Sequence, residues 1–334
     1  MGRLPFTPLF AALEPNGHTY VDFDVPGWVW VAFIIGISIL LVGDLLLVHR
    51  RPHVITFREA AIESSIWIAI GLSFTLVILF WQGGAAAGEY LAGYLIEKSL
   101  SVDNVFVWAV ILSYFAVPAE YQFRVLFWGV FGALVLRAGF IFAGVALIEA
   151  FDWILYVFGG FLILTAIRIA RPHDEEIHPE NNPVLRVFRR LIPSTTEYDG
   201  QKLFTRRAGR LLATPLFAVL VMIESTDVVF AVDSIPAILA VSHEPFIVFS
   251  SNAFAILGLR ALYFLLAGMA GRFRYLNLGL GVILAFVGVK MIIAEWYHMP
   301  IWLSLTVIGV VLAVTILASL RADRRDQIGS PRGS

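Results

Sequence analysis

Residues 97–108 read EKSLSVDNVFVW, and residues 224–238 read ESTDVVFAVDSIPAI. Both segments contain the pattern Ser-x-Asp-x-Val-Phe, and both set ionisable side chains among apolar neighbours. Ionisable groups are costly in the apolar part of a membrane helix, so they normally face a partner or a cavity there. If the surrounding chain spans a membrane, these two segments are its candidate functional centre.

The composition indicates that the chain does span a membrane. Hydrophobic residues make up 59% of the 334 residues and charged residues 15%, against roughly 45–50% and about 25% in an average soluble protein. So few charges cannot cover the surface of a soluble protein of this size. The absence of Cys excludes disulfides, thiolate zinc sites, c-type haem and cysteine-ligated iron–sulfur clusters. The formal net charge of −1 says little about partners, and we expect no nucleic-acid partner for a membrane protein of this kind.

Nine stretches are long and apolar enough for a helix that crosses a bilayer, which takes roughly 20 residues. They are residues 27–48, 60–82, 90–115, 125–148, 152–170, 213–241, 246–269, 276–296 and 300–319. Because lipid offers the backbone no hydrogen-bond partner, each span is expected to be helical. The sequence therefore predicts an all-α integral membrane protein with nine transmembrane helices.

The basic residues predict the orientation, because Lys and Arg accumulate in cytoplasmic loops. Of 24 basic residues, 18 fall in alternate loops on one side of the predicted spans, and only Arg3 falls on the other. We therefore expect the N-terminus outside and the C-terminus in the cytoplasm. The predicted regions are an extracytoplasmic segment 1–26, helices one to five in 27–170, a cytoplasmic loop 171–212, helices six to nine in 213–319 and a cytoplasmic tail 320–334.

The spacing of charges predicts an inverted repeat of three helices, spans three to five and spans six to eight. An intramembrane Arg follows Asp103 by 34 positions and Asp227 by 33, and the next span of each half also carries a basic residue. These bases are Arg137, Arg168, Arg260 and Lys290. Since three is odd, the second copy crosses the membrane in the opposite direction. Inverted repeats of this kind build secondary transporters, which bind their substrate near the bilayer midplane.

Six oxygen-bearing side chains of spans three and six form the predicted cation site: Glu97, Asp103, Asn104, Glu224, Asp227 and Asp233. Carboxylate and amide oxygens suit Mn²⁺, Mg²⁺ and Ca²⁺. A site for Zn²⁺ or Cu⁺ is less natural, because no His lies centrally in a span. Pro236 is expected to break span six and so turn its three acids inward together. Span three has no proline and no comparable reason to break.

The alternative is that these acids only form buried ion pairs with the intramembrane bases Lys98, Arg137 and Arg260. Three bases neutralise three of the five central carboxylates, and the other two still require a cation or protons. A cation site is therefore favoured, and Lys98 is expected to occupy it as a tethered positive charge when the metal leaves. Asp44 and Glu63 either line an inner vestibule or reach the membrane surface.

The two quoted segments and residues 252–264, NAFAILGLRALYF, resemble the signature segments of the TerC family of membrane proteins and, within it, the Alx-like branch. The resemblance extends from Val31 to about Leu320. It implies a protein of the bacterial inner membrane that moves Mn²⁺ outward, in a family also linked to tellurite resistance. It also implies an ion path through Asp103, Asn104, Glu224, Asp227 and Asp233.

We therefore expect a secondary transporter, without enzymatic activity or a resident cofactor, whose partners are a divalent ion, protons and the lipid bilayer. No GxxxxGK[ST] motif for ATP is present. Proton exchange is the expected coupling, because metal binding to carboxylates releases protons.

Three other functions are possible in principle. The first is an accessory protein that delivers metal to exported enzymes or contributes to tellurite resistance. An intramembrane aspartyl protease has the paired Asp in its favour but lacks the expected Gly-x-Gly-Asp context. A tellurite-processing redox enzyme is weaker still, because the chain has no thiol and no evident haem or flavin site.

Overall fold

The computed structural model describes residues 21, 23–45, 55–151, 153–170, 185, 187, 190–207, 209–266, 275–293, 296–297 and 299–329. Before a short β-hairpin, the chain forms helices α1 (Gly27–Gly43), α2 (Phe57–Gln82), α3 (Gly84–Tyr114), α4 (Ala119–Ala150) and α5 (Ile154–Ala170). After the hairpin it forms α6 (Pro215–Leu239), α7 (Pro245–Leu257), α8 (Leu259–Leu266), α9 (Leu276–Ile293) and α10 (Ile301–Gly329).

Five helical stretches of the described chain are long and apolar enough to cross a membrane. They are α2, α4, α6, the combined stretch of α7 and α8, and Ile301–Ser319 of α10. Three shorter apolar helices, α1, α5 and α9, accompany them, and α3 is 31 residues long. The molecule is a helical integral membrane protein, and the count of nine spans stays a prediction.

Large apolar side chains cover the outside of these helices. Phe80 is 86% exposed, Leu164 is 67% exposed and Val229 is 63% exposed. Water strongly disfavours such a surface, whereas lipid accommodates it. Asp227, two positions before Val229, is buried, so α6 turns its acidic side toward the other helices and its apolar side outward.

The predicted break in span six is wrong. Helix α6 continues from Pro215 to Leu239, and Pro236 lies in its last turn. The hydrogen bond that proline removes, to the carbonyl of Val232, therefore affects only the end of the helix. The acids of α6 follow ordinary helix periodicity, which places Glu224 and Asp227 on one side and Asp233 on another.

The break occurs in span seven instead, where the sequence predicts one helix over 246–269. A Cβ atom at Gly258 would lie 2.8 Å from Lys98 Nζ and 3.0 Å from Trp67 Cβ, so a larger residue would displace the Lys98 ammonium and crowd Trp67. Lys98 Nζ donates a hydrogen bond to the carbonyl of Ala255 at 3.1 Å. A side chain that inserts into the hydrogen-bond ladder is a known cause of a helix interruption. The interruption separates α7 from α8.

Helix α3 occupies the centre of the bundle, where it contacts α2, α6, α7, α8 and α10. The remaining main contacts are between α4 and α6, α4 and α7, α2 and α8, α5 and α9, and α9 and α10. Helix α3 therefore joins its own predicted repeat unit to the second one, and this arrangement positions the candidate site.

Part of the predicted loop 171–212 has an ordered fold that the sequence did not indicate. Strands β1 (Phe204–Arg207) and β2 (Arg210–Ala213) form an antiparallel hairpin in which Phe204 pairs with Ala213. The preceding segment is fixed to the connection between α3 and α4, because Tyr198 Oη donates to the carbonyl of Phe115 at 2.7 Å. The first part of the loop, 171–184, lies outside the described residues.

Candidate functional site

Arg137 of α4 lies between two carboxylates from two other helices. Its Nε and Nη2 donate to the two oxygens of Asp227 of α6 at 3.2 and 3.0 Å. Its Nη1 donates to Glu97 Oε1 of α3 and to Ser234 Oγ at 3.1 Å. We call Glu97, Arg137 and Asp227 the central cluster. Each of the three side chains is at most 2% exposed.

The central cluster holds two carboxylates and one guanidinium. Glu97 Oε1 also accepts a hydrogen bond from Ser101 Oγ at 2.9 Å. Glu97 Oε2 is buried and has no hydrogen-bond partner among the described residues. Because an unsatisfied buried carboxylate oxygen is costly, the cluster favours a further positive group, which the neighbouring Lys98, a cation or a proton can provide.

Glu224 lies one turn before Asp227 and packs against a glycine of α4. A Cβ atom at Gly132 would lie 2.0 Å from Glu224 Oε1, so a larger residue here would force the Glu224 carboxylate to move. Glu224 Oε2 is buried without a hydrogen-bond partner among the described residues. The carboxylates of Glu224 and Asp227 are close enough to repel each other. Glu224 is therefore beside the central cluster but outside its hydrogen bonds, and sequence reasoning missed the role of Gly132.

The other predicted ligands are less closely associated with the central cluster. Asp233 Oδ1 accepts a hydrogen bond from Thr165 Oγ1 of α5 at 3.0 Å, so this acid faces a different helix. Asn104 is 2% exposed and shares a face of α3 with Glu97, seven positions before it. The backbone of Asp103 belongs to α3, but its side chain lies outside the described part of the structure.

The other two predicted coupling residues have partners outside the central cluster. Lys98 Nζ donates a hydrogen bond to the carbonyl of Ala255, and Glu97 of the central cluster is its electrostatic neighbour. Arg260 of α8 forms ion pairs with Asp44, at the end of α1, and with Glu63 of α2 at 2.5 Å. Its guanidinium also lies 4.1 Å from the ring centre of Phe123. Arg260 thus pairs with acids of α1 and α2 and not with the central carboxylates, because the packing of its helix brings these acceptors closer.

No group of three or more His, Asp or Glu side chains is arranged as metal ligands among the described residues. The structure brings Glu97 and Asp227 together around Arg137, with Glu224 adjacent. In place of one six-residue cation site, the structure has a core in which Glu97 and Asp227 pair with Arg137. The other predicted ligands that the structure describes lie outside this core. A cation that binds the core must replace the guanidinium.

A second group of ionisable side chains, which sequence reasoning missed, surrounds Glu89 near the start of α3. Glu89 is fully buried, and its Oε1 accepts a hydrogen bond from the backbone N–H of Val21 at 2.8 Å. Ser242, Glu244 and Lys290 are its polar neighbours. We call Glu89, Ser242, Glu244 and Lys290 the Glu89 cluster. The signal in the sequence was the spacing of eight residues between Glu89 and Glu97, which places both on one face of α3.

The chain is similar to known bacterial membrane proteins. The family model described as the integral membrane protein TerC family matches residues 82–327. An uncharacterized membrane protein of Myxococcus xanthus is 48% identical over 308 residues, which are 92% of this chain and 96% of that protein. Alx of Escherichia coli K12, whose name proposes a membrane-bound redox modulator, is 49% identical over 86% of this chain and 92% of its own length. No solved structure matches the chain.

Proposed function

Because this chain belongs to the TerC family of integral membrane proteins, we propose that it is a secondary transporter of the bacterial inner membrane that exports Mn²⁺ in exchange for protons. The observation that carries the proposal is the central cluster, in which two buried carboxylates from α3 and α6 share one guanidinium. In secondary transporters the substrate binds where the repeats meet, and α3 and α6 begin the two predicted repeats.

Arg137 is the counter-charge of the metal-free state. A divalent ion carries twice the charge of a guanidinium, so it can neutralise both Glu97 and Asp227 once Arg137 withdraws. Asp103, Asn104 and Glu224 then supply further oxygens, and Asp233 is an outlying acid of the ion path. The tethered positive charge expected at Lys98 is therefore assigned to Arg137, which is the base that contacts the central acids.

Proton exchange follows from the chemistry of these ligands. Metal binding requires deprotonated carboxylates, so protons and metal compete for the same oxygens. An alkaline cytoplasm favours deprotonation and metal loading from inside. A more acidic exterior returns protons and expels the metal.

The helix contacts support the inverted repeat within this proposal. In the predicted repeat, α3 corresponds to α6 and α4 corresponds to α7. A twofold axis that exchanges the two units therefore converts the α3–α7 contact into an α6–α4 contact. Both contacts are present, and α5 packs on α9, its own counterpart. The proposed topology keeps nine spans, an external N-terminus and a cytoplasmic C-terminus.

Contacts between helix ends support a topology in which successive helices cross the membrane in opposite directions. Trp81 at the end of α2 contacts Phe246 at the start of α7, with ring centres 5.6 Å apart. The topology assigns both ends to the outer side. Tyr198 of the loop contacts the end of α3, and the topology assigns these two to the inner side.

An enzymatic function is disfavoured by the same geometry. In an aspartyl protease two carboxyl groups must be available for acid–base chemistry, whereas both oxygens of Asp227 bond to Arg137. An accessory protein that delivers metal to exported enzymes would use the same acidic site. A transporter and an accessory protein differ in whether the purified chain moves metal across a bilayer.

The test is Mn²⁺ flux by the full-length chain in liposomes that contain a trapped pH dye. We expect Mn²⁺ to move with opposite movement of protons, at a rate that rises with the pH on the loading side. Asp227→Asn should abolish this flux, whereas Glu197→Gln, at an acid 68% exposed in the hairpin region, should leave it unchanged. Mn²⁺ movement without proton counterflow would indicate a uniporter. No Mn²⁺ movement under any gradient would favour the accessory protein.

A further inference from the structure

Glu89 is a buried carboxylate that the proposed metal site does not use. Its side chain has no exposed surface. One oxygen, Oε1, accepts the backbone N–H of Val21, and the other, Oε2, is buried with no hydrogen-bond partner among the described residues. A buried carboxylate is costly, and Ser242 and Lys290 beside it offset part of this cost.

Glu89 and Glu97 are connected along one face of α3. Positions 89, 93 and 97 are four residues apart, so they form a column on the helix surface, and eight residues of helix span about 12 Å. The middle position is Gly93, where a Cβ atom would lie 2.8 Å from Ser251 Oγ of α7. The hydroxyl of Ser251, which donates to the carbonyl of Val248 at 3.1 Å, therefore packs against α3 at the position midway between the two glutamates.

The charges around Glu89 favour a proton over a metal ion. The ionisable groups that face it are Lys290 of α9 and Glu244 of the connection between α6 and α7, and the hydroxyl of Ser242 lies beside it. Lys290 also interacts with His243. A divalent ion beside the ammonium of Lys290 would be repelled, whereas a single proton converts Glu89 between a charged and a neutral form at little electrostatic cost.

We propose that Glu89 is the outer proton-transfer residue of the transporter, which passes protons between the extracytoplasmic side and the central cluster along the Glu89–Ser251–Glu97 column. This inference rests on the proposed proton exchange and names the residue through which the proton travels. In each cycle Glu89 takes one proton from the outer side and releases the same proton toward the cytoplasmic side. No electron is transferred, and no covalent bond to carbon forms or breaks.

The test separates proton transfer from metal transport. Liposomes that contain the full-length chain are assayed for two activities, exchange of radioactive Mn²⁺ for unlabelled Mn²⁺ at equal pH and Mn²⁺ flux driven by a pH gradient. Metal-for-metal exchange needs no net proton movement. Glu89→Gln should keep this exchange within about twofold of wild type while it reduces proton-driven flux at least tenfold.

Three further variants complete the design. Glu149→Gln replaces an exposed acid near the same end of the bundle, and it should match wild type in both assays. Glu89→Asp retains a carboxyl group and should recover part of the proton-driven flux. Lys290→Gln should move the half-maximal pH of that flux toward alkaline values, because Glu89 then holds its proton more tightly.

The outcomes distinguish this inference from the proposed function. If the wild-type chain performs neither activity, the transport proposal itself fails. If the wild type is proton-coupled and Glu89→Gln retains full coupling, the role of Glu89 is wrong. If Glu89→Gln does not fold, equal pH profiles of Lys290→Gln and wild type overturn the inference, and an alkaline shift supports it.

Discussion

At Arg137 one side chain determines both the stability and the chemistry of the central cluster. Replacement by Gln leaves Glu97 and Asp227 buried without a counter-charge, and a broken buried ion pair typically costs about 3–5 kcal/mol. Arg137→Gln should therefore lower the melting temperature and the monodisperse fraction in detergent, measured by fluorescence-detected size exclusion.

Asp227→Asn provides the matched comparison at the same cluster. It leaves one carboxylate for one guanidinium through the Arg137–Glu97 pair, so the protein should stay folded while Mn²⁺ flux is lost. Equal melting temperatures for Arg137→Gln and Asp227→Asn would contradict the assignment of Arg137 as the shared counter-charge.

His243, in the connection between α6 and α7, should not set the pH dependence of transport. Burial and the nearby Lys290 lower the pKa of His243 from 6.5 to about 4. Between these values the unfolded chain binds the proton and the folded chain does not. His243 therefore favours the folded state above pH 6.5, and this contribution is lost as the pH falls toward 4.

His243→Gln should thus flatten the loss of melting temperature between about pH 6.5 and pH 4. The pH midpoint of Mn²⁺ flux near neutrality should stay the same. A shift of that midpoint in the variant would indicate that histidine, and not the carboxylates, is the pH-sensitive group.

At the scale of helices, two glycines of α4 differ in whether a side chain of another helix packs against them. A Cβ atom at Gly132 meets Glu224 Oε1 at 2.0 Å, whereas a Cβ atom at Gly139 meets nothing within 4 Å. Gly132→Ala should lower the melting temperature. Gly139→Ala should preserve or raise it, since Ala is favoured over Gly in helices by about 1 kcal/mol.

Removal of the obstructing side chain tests the same contact. Glu224→Ala combined with Gly132→Ala should recover the melting temperature without recovering Mn²⁺ flux, because the carboxylate is lost. If Gly132→Ala alone is as stable as Gly139→Ala, then α4 and α6 do not approach each other as closely as described.

The two helix interruptions illustrate what local sequence rules can predict. Proline is the strongest helix breaker, yet Pro236 lies in the last turn of α6, where few hydrogen bonds remain to be lost. A single glycine inside an apolar stretch is a weak signal, and Gly258 breaks the helix because Lys98 from another helix approaches there. That approach depends on the packing of α3 against α7.

At the scale of the whole molecule, the topology is tested in the natural cysteine-free background. A cysteine at Ser194, in the segment before the hairpin, should be shielded from an impermeant thiol reagent in intact cells. A cysteine at Tyr297, 56% exposed between α9 and α10, should be labelled. The reverse pattern would overturn the orientation and the assignment of Glu89 to the outer side.

The helical membrane architecture could be predicted from the sequence, and so could the burial of Glu97, Asp227 and Arg137 among the helices. The hydropathy of a span can be read from that span alone. The cost of a charge in lipid can likewise be assessed at each position without knowing which residues lie near it in space. The family was recognisable from the two acidic segments for the same reason, because their residues are contiguous.

The partner of each charge could not be predicted in this way. Arg137 binds Asp227 across 90 positions, and Arg260 binds Glu63 across 197, although the repeat suggested equivalent roles for the two arginines. Asp233 faces Thr165 instead of the central cluster. An ion pair forms only within a few ångströms, so the rotation and packing of whole helices select among acids and bases that appear equivalent in the sequence.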